Sequence, residues 1–318
     1  MKNTSTQIEK ELAKFKPEKE TLLSIGVFDG VHLGHQRLLS YLKEQAGSRN
    51  LLSGVVTFKT HPESVLSSGN TVPWLVQLDE RVALIREIGI DLVVVLPFTP
   101  ELSRLSAREF LEILKDRLNM AGLIIGPDFA LGRNREGNVD TLRLLGKQLG
   151  FSVEVFPAVA LDGVIISSSV IRQLLAQGDI KRAQKLFGRR FSIKGQVVAG
   201  DRRGATLGFP TANFDVNPDQ ALPADGVYAT IAYIDHQSMP AITNIGIRPT
   251  FGGNKRLVET HILNYSGDLL GHQLKIEFVD RIREERRFAT AADLQTQISK
   301  DIEQAKRILA REENGRKA

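Results

Sequence analysis

The chain contains no cysteine. That excludes disulfide scaffolding, thiolate catalysis and cysteine-ligated zinc, and a reducing cytosol is the compartment that agrees with it. No segment reaches the roughly 18 consecutive apolar residues of a membrane-spanning helix. Residues 1–20 are polar and lysine-rich without an apolar signal core, so a cytoplasmic protein is expected. An excess of one charge is also small: 42 Lys and Arg stand against 37 Asp and Glu, a formal net charge of +5. That surplus suits phosphorylated small molecules, but it is too weak and too scattered to argue for nucleic acid. The short basic run of Lys181, Arg182, Lys185, Arg189 and Arg190 reads as a solvated helix end at least as well as a binding patch. There is no internal repeat and no low-complexity segment.

What remains is an ordinary globular composition, 42% hydrophobic and 25% charged over 318 residues. That length fits two domains of roughly 100–200 residues each. Leu22–Phe28, Gly54–Phe58, Asp91–Leu96, Gly122–Ile125 and Ser152–Phe156 read as strands, alternating with helical patterns near residues 35–46, 79–88, 106–118 and 139–149. The alternation predicts an α/β, doubly wound, Rossmann-like parallel sheet, whose ligands gather beyond the carboxyl ends of the strands. Gln173–Phe187 reads as another helix. After residues 188–190 the pattern changes to short alternating segments, Phe191–Val198, Gly226–Ile234, Leu257–Leu263 and Gln273–Val279, which predict a mainly β unit, a small antiparallel barrel. Thr290–Arg311 carries an apolar stripe at helical spacing and is expected to pack on that barrel. The domains are therefore expected at 1–187 and 188–318.

The densest motif runs from Gly26 to His35 (GVFDGVHLGH). It places an apolar strand, a glycine-spaced turn, two histidines three positions apart and a helix in that order. The first helical turn offers unpaired N–H groups and the positive end of the helix dipole, so anionic phosphate is the natural ligand. Gly30 and Gly34 carry no Cβ, which lets backbone and phosphate approach closely, while His32 and His35 can stabilise charge on an attacked α-phosphate. Phe28 ends the strand that leads into this turn.

Four further segments carry chemistry. The first, Gly126–Gly132, presents Asp128 and Phe129 after a strand, where a planar ligand can sit, though a turn cap and a core ring explain them equally well. Ser167, Ser168 and Ser169 precede a helix with Arg172 in its first turn. Serine there is most often an N-cap, yet the set also suits a triphosphate clamp. Residues 204–213 (GATLGFPTAN) form a loop bounded by Gly204 and Gly208, after which Thr211 and Asn213, if extended, share one face toward Mg²⁺ and phosphate oxygens. Residues 244–251 read as a glycine- and proline-marked turn, and Glu259 lies in a run of β-formers whose two faces are too alike to rank.

Together these motifs closely resemble the bacterial bifunctional riboflavin kinase/FAD synthetase family over almost the whole chain. GVFDGVHLGH, GPDFALG and ISSSVIR resemble its adenylyltransferase module; GFPTAN, PADGVY, TNIGIRPTF and VETH resemble its kinase module. The resemblance implies a kinase at 188–318 that phosphorylates riboflavin to FMN, with Glu259 as base and Mg²⁺ near Thr211 and Asn213. It implies an FMN adenylyltransferase at 1–187 that makes FAD and pyrophosphate. There, His32 and His35 would act on the α-phosphate, Ser168, Ser169 and Arg172 on the triphosphate, and Asp128 and Phe129 near the flavin. Arg248 is also assigned to flavin, and Gly26, Phe28, Gly30, Gly34, Gly204 and Gly208 to ATP. The implied partners are ATP, riboflavin and FMN, without nucleic acid or membrane, and a weak homo-oligomer is compatible with them. Thr60, Ser169, Val170 and Ala205 stand where the family often has proline, threonine, arginine and arginine. Two competing readings are an adenylyltransferase for another acceptor, such as pantetheine phosphate, and a flavin-responsive binding protein. The first leaves the second half unused, and the second does not require His32, His35 and Glu259.

Overall fold

The computed structural model describes residues 4–66, 71–200, 204, 207–235, 237–250 and 253–317. The chain divides into two compact units, residues 1–168 and 169–318.

In the first unit, β1 (Thr21–Ile25), β2 (Leu52–Phe58), β3 (Leu92–Leu96), β4 (Met120–Ile125) and β5 (Ser152–Val155) form a parallel sheet in the order β3-β2-β1-β4-β5. Its helices are α1 (Thr4–Leu12), α2 (Leu33–Ser48), α3 (Pro62–Leu66), α4 (Leu78–Glu87), α5 (Ala107–Leu118) and α6 (Val139–Leu149). Strand side chains alternate between two cores. Leu23, Val56, Val94 and Leu123 pack with Leu12, Leu111 and Leu142 on one face, while Leu22, Val55 and Ile124 pack with Leu39, Leu42 and Ile85 on the other. Both faces are covered, which is why the strands read as continuous apolar runs. The expected doubly wound sheet is present. The strand order reverses at β1, with β2 and β3 on one side and β4 and β5 on the other; such a switch point opens a crevice at the carboxyl ends of the strands. β1 ends at Ile25 rather than Phe28, because Phe28 adopts φ 50 and starts the turn. A two-residue hairpin, β6 (Ala160–Leu161) and β7 (Val164–Ile165), lies beyond β5.

Next comes α7 (Ser168–Gln177), followed by α8 (Ile180–Phe187). The single helix expected over 173–187 is thus two. Gly178 takes φ 77, and Asp179 then caps α8 by accepting from the Arg182 N–H at 3.1 Å.

The second unit is built on a closed barrel. Its strands β8 (Ser192–Val198), β9 (Ala212–Val216), β10 (Gly226–Ile234), β11 (Gln237–Thr250), β12 (Gly253–Ile262) and β13 (Gln273–Glu284) run antiparallel in the order β10-β11-β12-β9-β8-β13. Residues 244–250, read as a turn, are the end of β11. The terminal helix α9 (Ala291–Lys317) lays Ala305, Ile308 and Leu309 on Ala229, Ile231, Val279 and Ile282, as its apolar stripe predicts. On the other face of β10, buried Thr230 joins buried Thr243 of β11 and Thr260 of β12 in a hydroxyl chain with both Oγ1–Oγ1 distances at 2.9 Å.

Thr243 is the central link of that chain. Thr243→Val removes both bonds and leaves two buried hydroxyls short of a partner, so it is expected to destabilise the barrel by roughly 1–3 kcal/mol. Urea denaturation, followed through the barrel transition, measures this.

Candidate functional sites

The first site is the turn joining β1 to α2. His32 is the N-cap of α2, with φ −70 and ψ 171, and its Nδ1 accepts the His35 N–H at 3.3 Å. Accepting at Nδ1 leaves Nε2 as the nitrogen directed elsewhere. The two imidazoles stack with centroids 3.6 Å apart and planes 16° from parallel, and Phe28 meets His35 edge-on at 5.2 Å. Gly34 makes that stack fit, because a Cβ there would lie 3.2 Å from the His32 ring. Gly30, at φ 83, turns the chain ahead of it. Gly26 lies under the Phe28 ring, which a Cβ would meet at 3.1 Å. The first turn of α2 contains no acidic residue, a charge pattern compatible with an anion at its positive end.

Two residues that sequence reasoning did not single out hold this turn. Asp29 is 2% exposed; its carboxylate accepts the backbone N–H of Leu75 at 3.0 and 3.1 Å and that of Val76 at 3.2 Å, and its carbonyl accepts the Ser168 hydroxyl at 2.9 Å. Arg81 on α4 is wholly buried and donates to the Val27 carbonyl at 3.0 Å and the Phe58 carbonyl at 2.6 Å. It therefore ties together the chain leaving β1 and the end of β2. Burial lowers its pKa to about 10, partly offset by the charge of Asp29, and Trp74 lies 4.4 Å from its guanidinium. In sequence Arg81 looks like the polar face of an amphipathic helix, and no local signal marks it as buried.

Asp128 and Phe129 follow β4, so they share the carboxyl end of the sheet with the β1 turn, across the switch point. Asp128 is exposed and its carbonyl accepts from Arg135 at 3.2 Å, while Phe129 packs in part against the core. Ser168 belongs to the first unit, whereas Ser169 and Arg172, on α7, belong to the second.

The second site is a cavity of about 400 Å³ on the barrel, lined by Gly204, Thr211, Asn213 and Glu259 among the expected residues. Register explains how they meet. β12 pairs Glu259 with Asn213 of β9 on one side and with Asn244 of β11 on the other, so the three stand in one row. Val258, Thr260 and Ile262 are 1–4% exposed, which settles the two faces of β12: these are buried, and Glu259, with Leu257 and His261, faces the cavity. His261 Nδ1 lies 2.7 Å from the Pro210 carbonyl and its ring meets Phe209 edge-on at 5.9 Å, so it fixes the loop before Thr211. Gly204 and Gly200 are small because a Cβ at either would run into Phe209 and Thr211, or into the Asn213 amide. Gly208 (φ 87) turns that loop but does not line the cavity. Arg248 lies near the end of β11, and its side chain, like Ala205, lies outside the described residues. Asn244, Arg283, Glu285, Phe288 and Asp301 also line the cavity; of these, only Asn244 sat in a motif quoted from the sequence.

Thr211 and Asn213 offer neutral hard oxygens, and the described residues contain no cluster of three or more His, Cys, Asp or Glu able to hold a metal alone. Such a donor pair fits Mg²⁺ that takes most of its remaining ligands from water and substrate phosphates.

The sequence matches the family model for FAD synthetase over residues 14–170 and that for riboflavin kinase over residues 187–309. It is 38% identical over 307 residues to a bifunctional riboflavin kinase/FMN adenylyltransferase of Pseudomonas fluorescens, covering 96% of this chain and 98% of that one. The chain belongs to the bifunctional riboflavin kinase/FMN adenylyltransferase family. Its Escherichia coli K12 relative of the same name is 36% identical over 287 residues, 90% of this chain and 91% of that one. Over 94% of this family member the fold matches a crystal structure described as a macrolide-efflux protein from Streptococcus pneumoniae, with a TM-score of 0.87, 28% identity and 97% of that chain covered. Among the described residues here, no helix is long and apolar enough to cross a membrane.

Arg81→Met keeps the length of the side chain but removes both carbonyl contacts. It is expected to lower the stability of the first unit by roughly 1–3 kcal/mol. Trp74 is the chain's single tryptophan and lies on Arg81, so its fluorescence during urea unfolding reports this unit directly.

Proposed function

We propose that this chain makes FMN from riboflavin in its C-terminal domain, 188–318, and FAD from FMN in its N-terminal domain, 1–187, with ATP as donor in both steps. The observation that carries the reading is the pair of unlike sites: stacked histidines at a helix N-terminus beside the switch point, and a carboxylate in register between two amides on the barrel. Family membership supplies the substrates. The cytoplasm is the proposed compartment.

In the C-terminal reaction, Glu259 accepts the proton of the riboflavin 5′-hydroxyl as its oxygen attacks the γ-phosphorus, and ADP leaves. An alcohol is a weak nucleophile, so a carboxylate placed to take its proton has a clear role. Thr211 and Asn213 would hold Mg²⁺, which offsets phosphate charge when bound. The N-terminal reaction starts from an FMN phosphate that is already anionic and needs no strong base. His32 and His35, with the N–H groups that open α2, stabilise charge developing on the attacked α-phosphate, and pyrophosphate leaves. Ser168, Ser169 and Arg172 keep the triphosphate role, and Asp128, Phe129 and Arg248 the flavin role, that the family resemblance gives them.

Separable sites give separable defects. His35→Ala is expected to lower FAD formation from FMN by roughly 10²–10³-fold while riboflavin phosphorylation stays near wild type. Glu259→Gln should cut riboflavin phosphorylation by about 10²–10⁴-fold and leave supplied FMN convertible to FAD. Chromatography of flavin products measures both; loss of both activities in either variant, with the protein still folded, contradicts the two-site reading.

A further inference from the structure

Asp301 is 2% exposed on α9, lines the barrel cavity and has no part in the transfer described above. Its Oδ2 accepts from Arg283 Nε at 2.9 Å and Nη2 at 2.8 Å, and its Oδ1 accepts from Gln297 Nε2 at 2.6 Å. Gln297 Oε1 in turn accepts from Arg286. The Arg283 and Arg286 guanidiniums lie 5.6 and 4.9 Å from the Phe288 ring centre. One buried carboxylate thus holds, directly or through Gln297, both cations that flank this ring.

Glu285 lies inside the segment so held. Its carboxylate occupies the space over Gly246 of β11, where a Cβ would lie 2.8 Å from Oε2. Gly246 has no left-handed φ, so a side chain there would have to displace the Glu285 carboxylate. Asn244, two residues earlier on the same strand face, is the register partner of Glu259, which places Gly246 about 6.7 Å further along the strand. Relative to Glu259, then, Thr211 and Asn213 come from the β9 side, and Glu285 and Gly246 from the β11 side. In-line phosphoryl transfer sets nucleophile and leaving group on opposite sides of the phosphorus. With the phosphate donors on the β9 side, the acceptor enters from the β11 side, against Phe288 and Glu285. An aromatic face beside a carboxylate suits a flat ring with N–H and hydroxyl donors.

We propose that Asp301 is a positioning residue for the acceptor: by fixing Arg283 and, through Gln297, Arg286, it sets the wall formed by residues 285–288 that receives the flavin. The inference rests on the kinase reading of this cavity.

The test is steady-state phosphorylation with riboflavin and MgATP varied separately, for the full-length wild type, Asp301→Asn and Gln297→Met. Asp301→Asn is expected to raise the riboflavin KM about tenfold, with the ATP KM within about twofold and kcat within about threefold. Gln297 does not line the cavity and Gln297→Met leaves the Arg283–Asp301 pair intact, so it folds where Asp301→Asn fails to and decides the question alone. It should raise the riboflavin KM about threefold with the same selectivity. Equal rises in both KM values, a fall in kcat at constant riboflavin KM, or no change in either folded variant overturns the proposal. A wild-type protein that does not phosphorylate riboflavin overturns the kinase reading instead.

Discussion

The register of three barrel strands is the constraint on which the second site depends. Antiparallel pairing of β9 and β11 to β12 puts Asn213, Glu259 and Asn244 in one row, and a slip of one residue in either pairing would turn a whole set of side chains to the other face. The buried chain of Thr230, Thr243 and Thr260 crosses β10, β11 and β12, with Thr243 and Thr260 in the row next to Asn244 and Glu259, and opposes a slip of β11 on β12, since unmaking it leaves buried hydroxyls without their partners. Strand pairing that stabilises the fold therefore also places Glu259, the proposed base, beside Asn213, a proposed metal ligand.

The first unit solves a different problem by a different device. The adenylyl transfer proposed there needs no strong base; it relies on where positive ends and imidazoles point. His32 serves as helix cap and, through its stack on His35, as part of the site. Its position is inherited from the turn, and the turn is held from beneath by Asp29 and Arg81 through backbone groups of three separate segments. Carbonyl and amide contacts of this kind fix geometry without specifying side chains at the positions they hold. The chain leaving β1 can thus carry Gly26, Gly30 and Gly34 where the proposed function brings a phosphate close.

Much of this was legible in the sequence because it is local. Strand and helix alternation, the His32–His35 spacing and the alternation of Thr211 with Asn213 are short-range patterns that the fold preserves. What was missed is long-range. Residues 244–251 read as a turn, since Gly246 and Pro249 are turn-like residues; the pairing of 244–250 with β12 that makes them strand, and the Glu285 carboxylate lying over Gly246 from far along the chain, leave no local signal. The helix expected over 173–187 is broken at Gly178, whose left-handed conformation is not obligatory for glycine. β1 stops short of Phe28 because an apolar residue can serve a turn as well as a strand when a glycine beneath it leaves room for its ring. Arg81 and Asp301 are charged residues on amphipathic helices, a pattern that predicts exposure, and only tertiary packing shows that both are buried.

The central claim is that two phosphorus atoms of ATP are attacked at two distinct sites on one chain. The most direct measurement incubates the protein with riboflavin, Mg²⁺ and ATP labelled at either the γ- or the α-phosphate, and follows the label into separated flavins. The account predicts that γ-label enters FMN and is retained in FAD, whereas α-label enters FAD alone. Alpha-label in FMN, or FAD that carries neither label, would contradict it.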